Sequence, residues 1–214
     1  MSRDLATLVG SRICHDLISP IGAIGNGVEL LSMGGGGGAD EMDLISGSVG
    51  QASARIRFFR IAYGAAHADQ TVAGTEVSSI LRDMAAAGRM QYDWTITGQM
   101  SRPLARIALL SAQCMESAMP GGGKITVMLD DTLHVIANAD RIAADPALWL
   151  PLEDLATEHV HSAAQVQFAL LPRAVLEAGL TLTVMQSDTT ISMQFREPDA
   201  AISPGPSRHL SPDI

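Results

Sequence analysis

An α+β fold is predicted, with a hairpin of two long helices at the N-terminus and a mixed helix-and-strand region after it. Three observations predict this. Apolar residues recur at steps of three and four up to Tyr63, a run of glycines interrupts them once, and beyond Gly74 short β-branched stretches alternate with helical ones.

In the first helix the stripe is Leu5, Val9, Ile13, Leu17, Ile21, Ile24, Val28 and Leu31. Pro20 lies inside it and should kink the helix or loosen one turn. Gly34 to Gly38 ends it, because consecutive glycines cannot hold a helix. The second helix should start near Asp40, with Ile45, Val49, Ala52, Ile56, Phe59 and Tyr63 forming the seam of a left-handed bundle. Two helices alone leave much of that surface wet, so a homodimer pairing two hairpins into a four-helix bundle is expected.

The second region follows a Gly/Ala/Thr-rich link, Gly64 to Gly74. Thr75 should cap a helix from Glu76 to about Ala87. Tyr92 to Thr97 reads as a strand and Pro103 to Met119 as a helix stopped by Pro120 and three glycines. Lys124 to Leu129 and Thr132 to Ala137 read as strands joined at Asp130-Asp131. A helix from about Ser162 to Ala178 is interrupted at Pro172 and ends on Gly179. Leu180 to Met185 and Thr190 to Phe195 should pair as a hairpin. From Glu197 the chain is proline-rich, nearly without apolar residues and expected to be disordered. The expected units are thus 1–66, 75–196 and a tail, 197–214.

Composition excludes several functions. The net charge of −9, with Lys124 the one lysine, disfavours nucleic acid. The densest basic cluster, Arg55, Arg57 and Arg60, reads as a solvated helix face. No apolar run is long enough to span a bilayer and the N-terminus does not resemble a signal peptide, so a cytoplasmic protein with no membrane partner is expected. Cys14 and Cys114 are then two reduced thiols. Gly123-Lys124 is not a phosphate-binding loop, because Ile125 replaces Ser/Thr and Ala118 the first glycine. Gly22-Ala23-Ile24-Gly25-Asn26-Gly27 lies inside a helix and is no dinucleotide fingerprint. His159 and His161 lack the acidic or thiol companions of a metal site.

His15 is the residue with chemistry. On a helical projection it faces away from the apolar stripe, among Leu8, Ser11, Ser19, Gly22 and Asn26, with Arg12 at the edge. Mostly small or polar neighbours leave the imidazole in water with room beside it. The string His15-Asp16-Leu17-Ile18-Ser19-Pro20-Ile21 resembles the phospho-acceptor box of sensor histidine kinases. His15 would supply the nitrogen nucleophile, and Asp16 would accept a hydrogen bond from the other ring nitrogen.

The order of elements after Gly74 is similar to the ATP-binding domain of the same kinases, an α/β sandwich, and Met119 to Val127 resembles the link after its asparagine box. The nucleotide-binding residues differ. Cys114 stands where the family has its Mg²⁺-binding Asn, Asn138-Ala139-Asp140-Arg141-Ile142 replaces a glycine turn, and His161 to Val166 replaces a glycine-rich lid. A kept domain with a lost nucleotide site resembles the ChpT-type histidine phosphotransferases of alphaproteobacterial phosphorelays, as do Arg12-Ile13-Cys14-His15-Asp16-Leu17 and Gly25-Asn26-Gly27-Val28-Glu29-Leu30-Leu31. The resemblance implies His15 and Asp16 as catalytic residues, with Arg12, Ser19, Gly22 and Asn26 supporting phosphate or receiver docking. It also implies receiver domains as partners, that of a hybrid histidine kinase among them, and no cofactor of its own, Mg²⁺ coming with the receiver. Two alternatives are a non-catalytic dimeric scaffold that binds receivers and an atypical ATP-dependent kinase.

Overall fold

The computed structural model describes residues 3–33, 38–86, 88–153 and 162–198. Helices α1 (Arg3–Met33) and α2 (Ala39–Ala62) form the expected hairpin. Helix α1 is continuous through Pro20, which is buried. Proline has no N–H to give the carbonyl of Asp16, one turn back, so the turn next to His15 loses one rung without ending. Gly38 is the N-cap of α2, while Gly34 to Gly37 lie outside the described residues.

The apolar stripe of α1 divides in two. Leu5 is buried, and Leu8, Val9, Ile13 and Leu17 pack against the same core as Phe58, Phe59, Ile61 and Ala62 of α2. Further along, Ile24 and Leu31 are half-buried, and Ile21 and Val28 are exposed. Ile18, Leu30 and Met33 of α1 are exposed as well, as are Met42, Leu44, Val49 and Ile56 of α2.

The remainder runs β1 (Thr71–Ala73), α3 (Gly74–Ala85), β2 (Met90–Trp94), β3 (Gln99–Ser101), α4 (Arg102–Ser117), β4 (Gly123–Leu129), β5 (Leu133–Asn138), α5 (Pro146–Trp149), α6 (Val166–Glu177), β6 (Thr181–Gln186) and β7 (Thr190–Arg196). The main sheet has the order β2-β4-β5-β7-β6, with β2 and β4 parallel and the other pairs antiparallel. Strands β1 and β3 form a separate two-stranded ladder. The fold is mixed α+β.

Alternation along the strands decides which face is covered. Val127 pairs with Val135 and Val135 with Met193, and these three are buried with Ile125, Leu133, Ala137, Ile191 and Phe195. They share a core with Ile107, Leu110 and Met115 of α4 and with Phe168, Leu171 and Val175 of α6. Burying each such side chain contributes roughly 1.5–3 kcal/mol. The cluster is continuous with the base of the hairpin. Ion pairs also tie α2 to α3, Arg57 with Asp83 and Arg60 with Glu76 at 2.9 Å, and Tyr63 donates to Gln113 of α4 at 3.1 Å.

Several local expectations change. Thr75 does not cap α3, which begins two residues earlier than expected, at Gly74, with Ala73 as an N-cap that lends no side chain. Gly74 N–H bonds to Gly98 O at 2.8 Å, and a Cβ there would lie 2.0 Å from Ile96 O, so the close chain approach fixes the start. Side-chain caps operate elsewhere, at α4, where Ser101 Oγ accepts from Leu104 N–H at 3.4 Å, and at α5, where Asp145 Oδ1 accepts from Ala147 N–H at 2.9 Å. Strand β2 ends at Trp94 rather than Thr97, and α6 continues through Pro172. Gly179 ends the α6 region with φ +68°, as its position suggested. Helix α5 and the 3₁₀ turn Leu150–Glu153 were not foreseen, and they bury Trp149 and Leu152. The expected tail, 197–214, is described only at residues 197 and 198, and the His159/His161 pair lies outside the described residues.

Candidate functional site

His15 stands on the outer side of α1 at the level where the hairpin meets the second region. Its side chain is 85% exposed, whereas that of Asp16 is 11% exposed. Helical geometry turns Asp16 about 100° from His15, toward α2 and the junction. The two nevertheless touch, with His15 Nδ1 at 3.1 Å from Asp16 Oδ1. An ionised carboxylate can only accept, so Nδ1 is the donor of this bond, and in the neutral ring that tautomer places the lone pair on Nε2.

The other oxygen of Asp16 belongs to arginines. Arg12 Nε donates to Oδ2 at 2.7 Å, one helical turn back, and a terminal nitrogen of Arg55 in α2 lies 4.0 Å from the same atom. Arg12 also donates to the carbonyl of Ala164 at 2.8 Å, which joins α1 to the turn preceding α6. That turn is closed by Ser162, whose N–H and hydroxyl both donate to Gln165 Oε1, at 3.1 and 3.0 Å.

Beneath this cluster Tyr92 donates to Glu116 Oε1 at 2.6 Å. Burial pushes the Glu116 carboxyl above its ordinary value, while the Tyr92 hydrogen bond, Arg12 and Arg55 pull it back. Burial likewise pushes the Tyr63 hydroxyl up to about 12. Cys114 is fully buried and its thiol is pushed well up by burial, so it sits in the core as a small apolar residue.

Ser19, Gly22 and Asn26 are exposed like His15, and a Cβ built on Gly22 meets nothing. At about 1.5 Å of rise per residue, they lie roughly 6, 10 and 16 Å from the level of His15. Arg12 differs from its expected place, since two of its nitrogens are engaged by protein oxygens rather than open to a phosphate. Sequence reasoning missed Arg55, Ala164 and Glu116. For Arg55 a signal existed: it falls three residues after Ala52 and four before Phe59, on the seam facing α1. Among the described residues no group of three or more His, Cys, Asp or Glu is placed to hold a metal.

The site thus presents an exposed imidazole with one ring nitrogen held by a carboxylate and the other unengaged by that contact. Residues 74–190 match the family model described as the histidine phosphotransferase C-terminal domain, and the chain belongs to that family. Protein phosphotransferase ChpT of Brucella abortus (strain 2308) is 34% identical over 189 residues, 85% of this chain and 90% of that protein. A solved structure of a bacterial phosphotransferase superposes with a TM-score of 0.75 at 28% identity, covering 92% of this chain and 97% of that one. The likeness is thus to the ChpT type of phosphorelay histidine phosphotransferase.

Proposed function

We propose that the chain relays phosphoryl groups between receiver-domain aspartates and that His15 is the carrier. The observation supporting this is the His15–Asp16 contact, which engages Nδ1 and leaves Nε2 as the free nitrogen of an exposed ring, on a helix face cleared by small residues. In the forward step the Nε2 lone pair bonds to phosphorus. The bond from phosphorus to the receiver aspartate breaks, and its electron pair returns to that carboxylate. The second half is the reverse, onto another receiver. Such transfer asks mainly for alignment and charge stabilisation.

Within this reading Asp16 fixes the ring, and Arg12 fixes Asp16 rather than the phosphate. Ser19 lies near enough to border the transferring group. Gly22 and Asn26 lie too far along α1 for that and serve receiver docking. The divalent ion comes with the receiver, whether a response regulator or the receiver of a hybrid kinase. Nucleotide is not used, since the thiol of Cys114 is a poor replacement for a magnesium-binding amide. A homodimer covers the exposed apolar residues of the upper hairpin, and a cytoplasmic setting fits two unpaired cysteines.

The test is to mix the protein with a panel of phosphorylated receiver domains and follow the label. Acid-labile, alkali-stable label on this chain is expected from at least one. Failure with every receiver encoded beside it in its genome contradicts the reading.

A further inference from the structure

We propose that Arg55 is a positioning residue for phosphotransfer, holding Asp16 from the α2 side so that the remaining carboxylate oxygen stays on the His15 ring. This rests on His15 as the carrier and Asp16 as its partner.

The three arginines of the α2 cluster have different partners. Arg57 and Arg60 reach carboxylates of α3, Asp83 and Glu76, and so brace one helix against another. Arg55 turns the other way, to Oδ2 of Asp16. That oxygen is also the one taken by Arg12. Two cations on Oδ2 leave Oδ1 for the imidazole.

Arg12 alone is a weaker reference for the carboxylate. It lies on α1, four residues from Asp16, and its second tie, to the Ala164 carbonyl before α6, holds it from the side away from α2. Arg55 adds a fixed point on a second helix, anchored by Ala54 and Phe58, both fully buried. A carboxylate held from two helices resists rotation about its own side-chain bonds, which a single i,i+4 pair does not ensure.

A competitor for both arginines is present, and its chemistry favours Asp16. Arg12 and Arg55 both act on Glu116 of α4. Burial biases that carboxyl toward its neutral form, and Tyr92 already fills one of its oxygens. A buried acid that resists ionisation draws the guanidinium groups less than an ionised one does. Both arginines keep their approach to Asp16 Oδ2, Arg12 at 2.7 Å and Arg55 at 4.0 Å.

The experiment uses the full-length protein with Arg55→Ala and Arg55→Lys. Nitrogen-15 NMR of the neutral imidazole reads the His15 tautomer without any transfer reaction. The population with hydrogen on Nδ1 should fall in Arg55→Ala and recover in Arg55→Lys. Single-turnover transfer from a phosphorylated receiver should show the limiting rate down about 10-fold in Arg55→Ala, with the half-saturating receiver concentration unchanged within about 2-fold. Arg55→Lys should restore the rate to within about 3-fold of wild type, because a point charge suffices at a 4.0 Å separation. An unchanged tautomer population in the alanine variant overturns the proposal. So does a loss confined to the half-saturating concentration, which would make Arg55 a docking residue. If Arg55→Ala does not fold, Arg55→Gln supplies both readouts, and either of those two results overturns the proposal there as well. If wild type takes no label from receivers, the carrier reading fails, while the tautomer measurement still decides the role of Arg55.

Discussion

The 3.1 Å contact between His15 Nδ1 and Asp16 Oδ1 joins an exposed residue to one nearly withdrawn from water, and so links the reactive ring to the interior of the junction. Adjacent helical residues rarely face each other, yet here one carboxylate oxygen meets the ring while the other accepts from Arg12 at 2.7 Å. Asp16→Asn keeps the shape but loses the charge that selects the Nδ1–H tautomer. Transfer should slow by about 10- to 100-fold without disappearing, since Asp16 forms no bond to phosphorus. Single-turnover rates check this, and a variant as fast as wild type contradicts it.

Two glycines of α1 should respond in opposite ways to alanine. At Gly27 a new Cβ would lie 2.6 Å from Ile45 Cγ1, so Gly27→Ala should push the helices apart and cost about 1–3 kcal/mol. At Gly22 the space is open, and Gly22→Ala should stabilise the helix by up to about 1 kcal/mol. If the strip beyond His15 docks receivers, the more stable Gly22→Ala protein should also need more receiver for half-saturation. Thermal denaturation and transfer titrations separate the two effects.

Much of this site is written in local spacing. The phospho-acceptor box, the exposure of His15 and the hairpin all follow from residues within a few turns of one another, where helical geometry alone sets the outcome. The distant partners, Arg55 for Asp16 and Ala164 for Arg12, do not. Ala164 comes from a segment whose approach depends on how the hairpin seats against α6, which no spacing in α1 encodes, while Arg55 is legible only as a position on the α2 seam. Strands β1 and β3 were missed for a related reason, because three residues are too few to show alternation. Helix α5 is also short, and Trp149 gives its segment a core role visible only once Phe168 is seen edge-on to it at 5.6 Å.

Glu116 gives the junction a pH signature. Its carboxyl is held above the ordinary 4.5, so its stabilising contribution is full below that pH and is lost as pH rises through the raised value. Glu116→Gln cannot ionise and keeps an acceptor for Tyr92. The melting temperature of the variant minus that of wild type should therefore become more positive as pH rises from about 4.5 toward 8. A flat or falling difference contradicts the assignment.

The exposed upper hairpin predicts self-association. Ile56 is 55% exposed and Ile18 71%, so neither is needed to fold a single chain, and both suit a bundle seam. Ile56→Asp should leave the protein folded and shift sedimentation from dimer to monomer. Wild-type protein sedimenting as a monomer at micromolar concentration contradicts the four-helix bundle.

The central claim is that one nitrogen carries the phosphoryl group, and His15→Gln tests it most directly. Glutamine keeps size and polarity at an exposed position, so folding should survive. Incubated with a phosphorylated receiver that labels wild type, the variant should take up no label and pass none to a second receiver, while replacement of His67 or His134 changes nothing. Label on the His15→Gln protein would contradict the account.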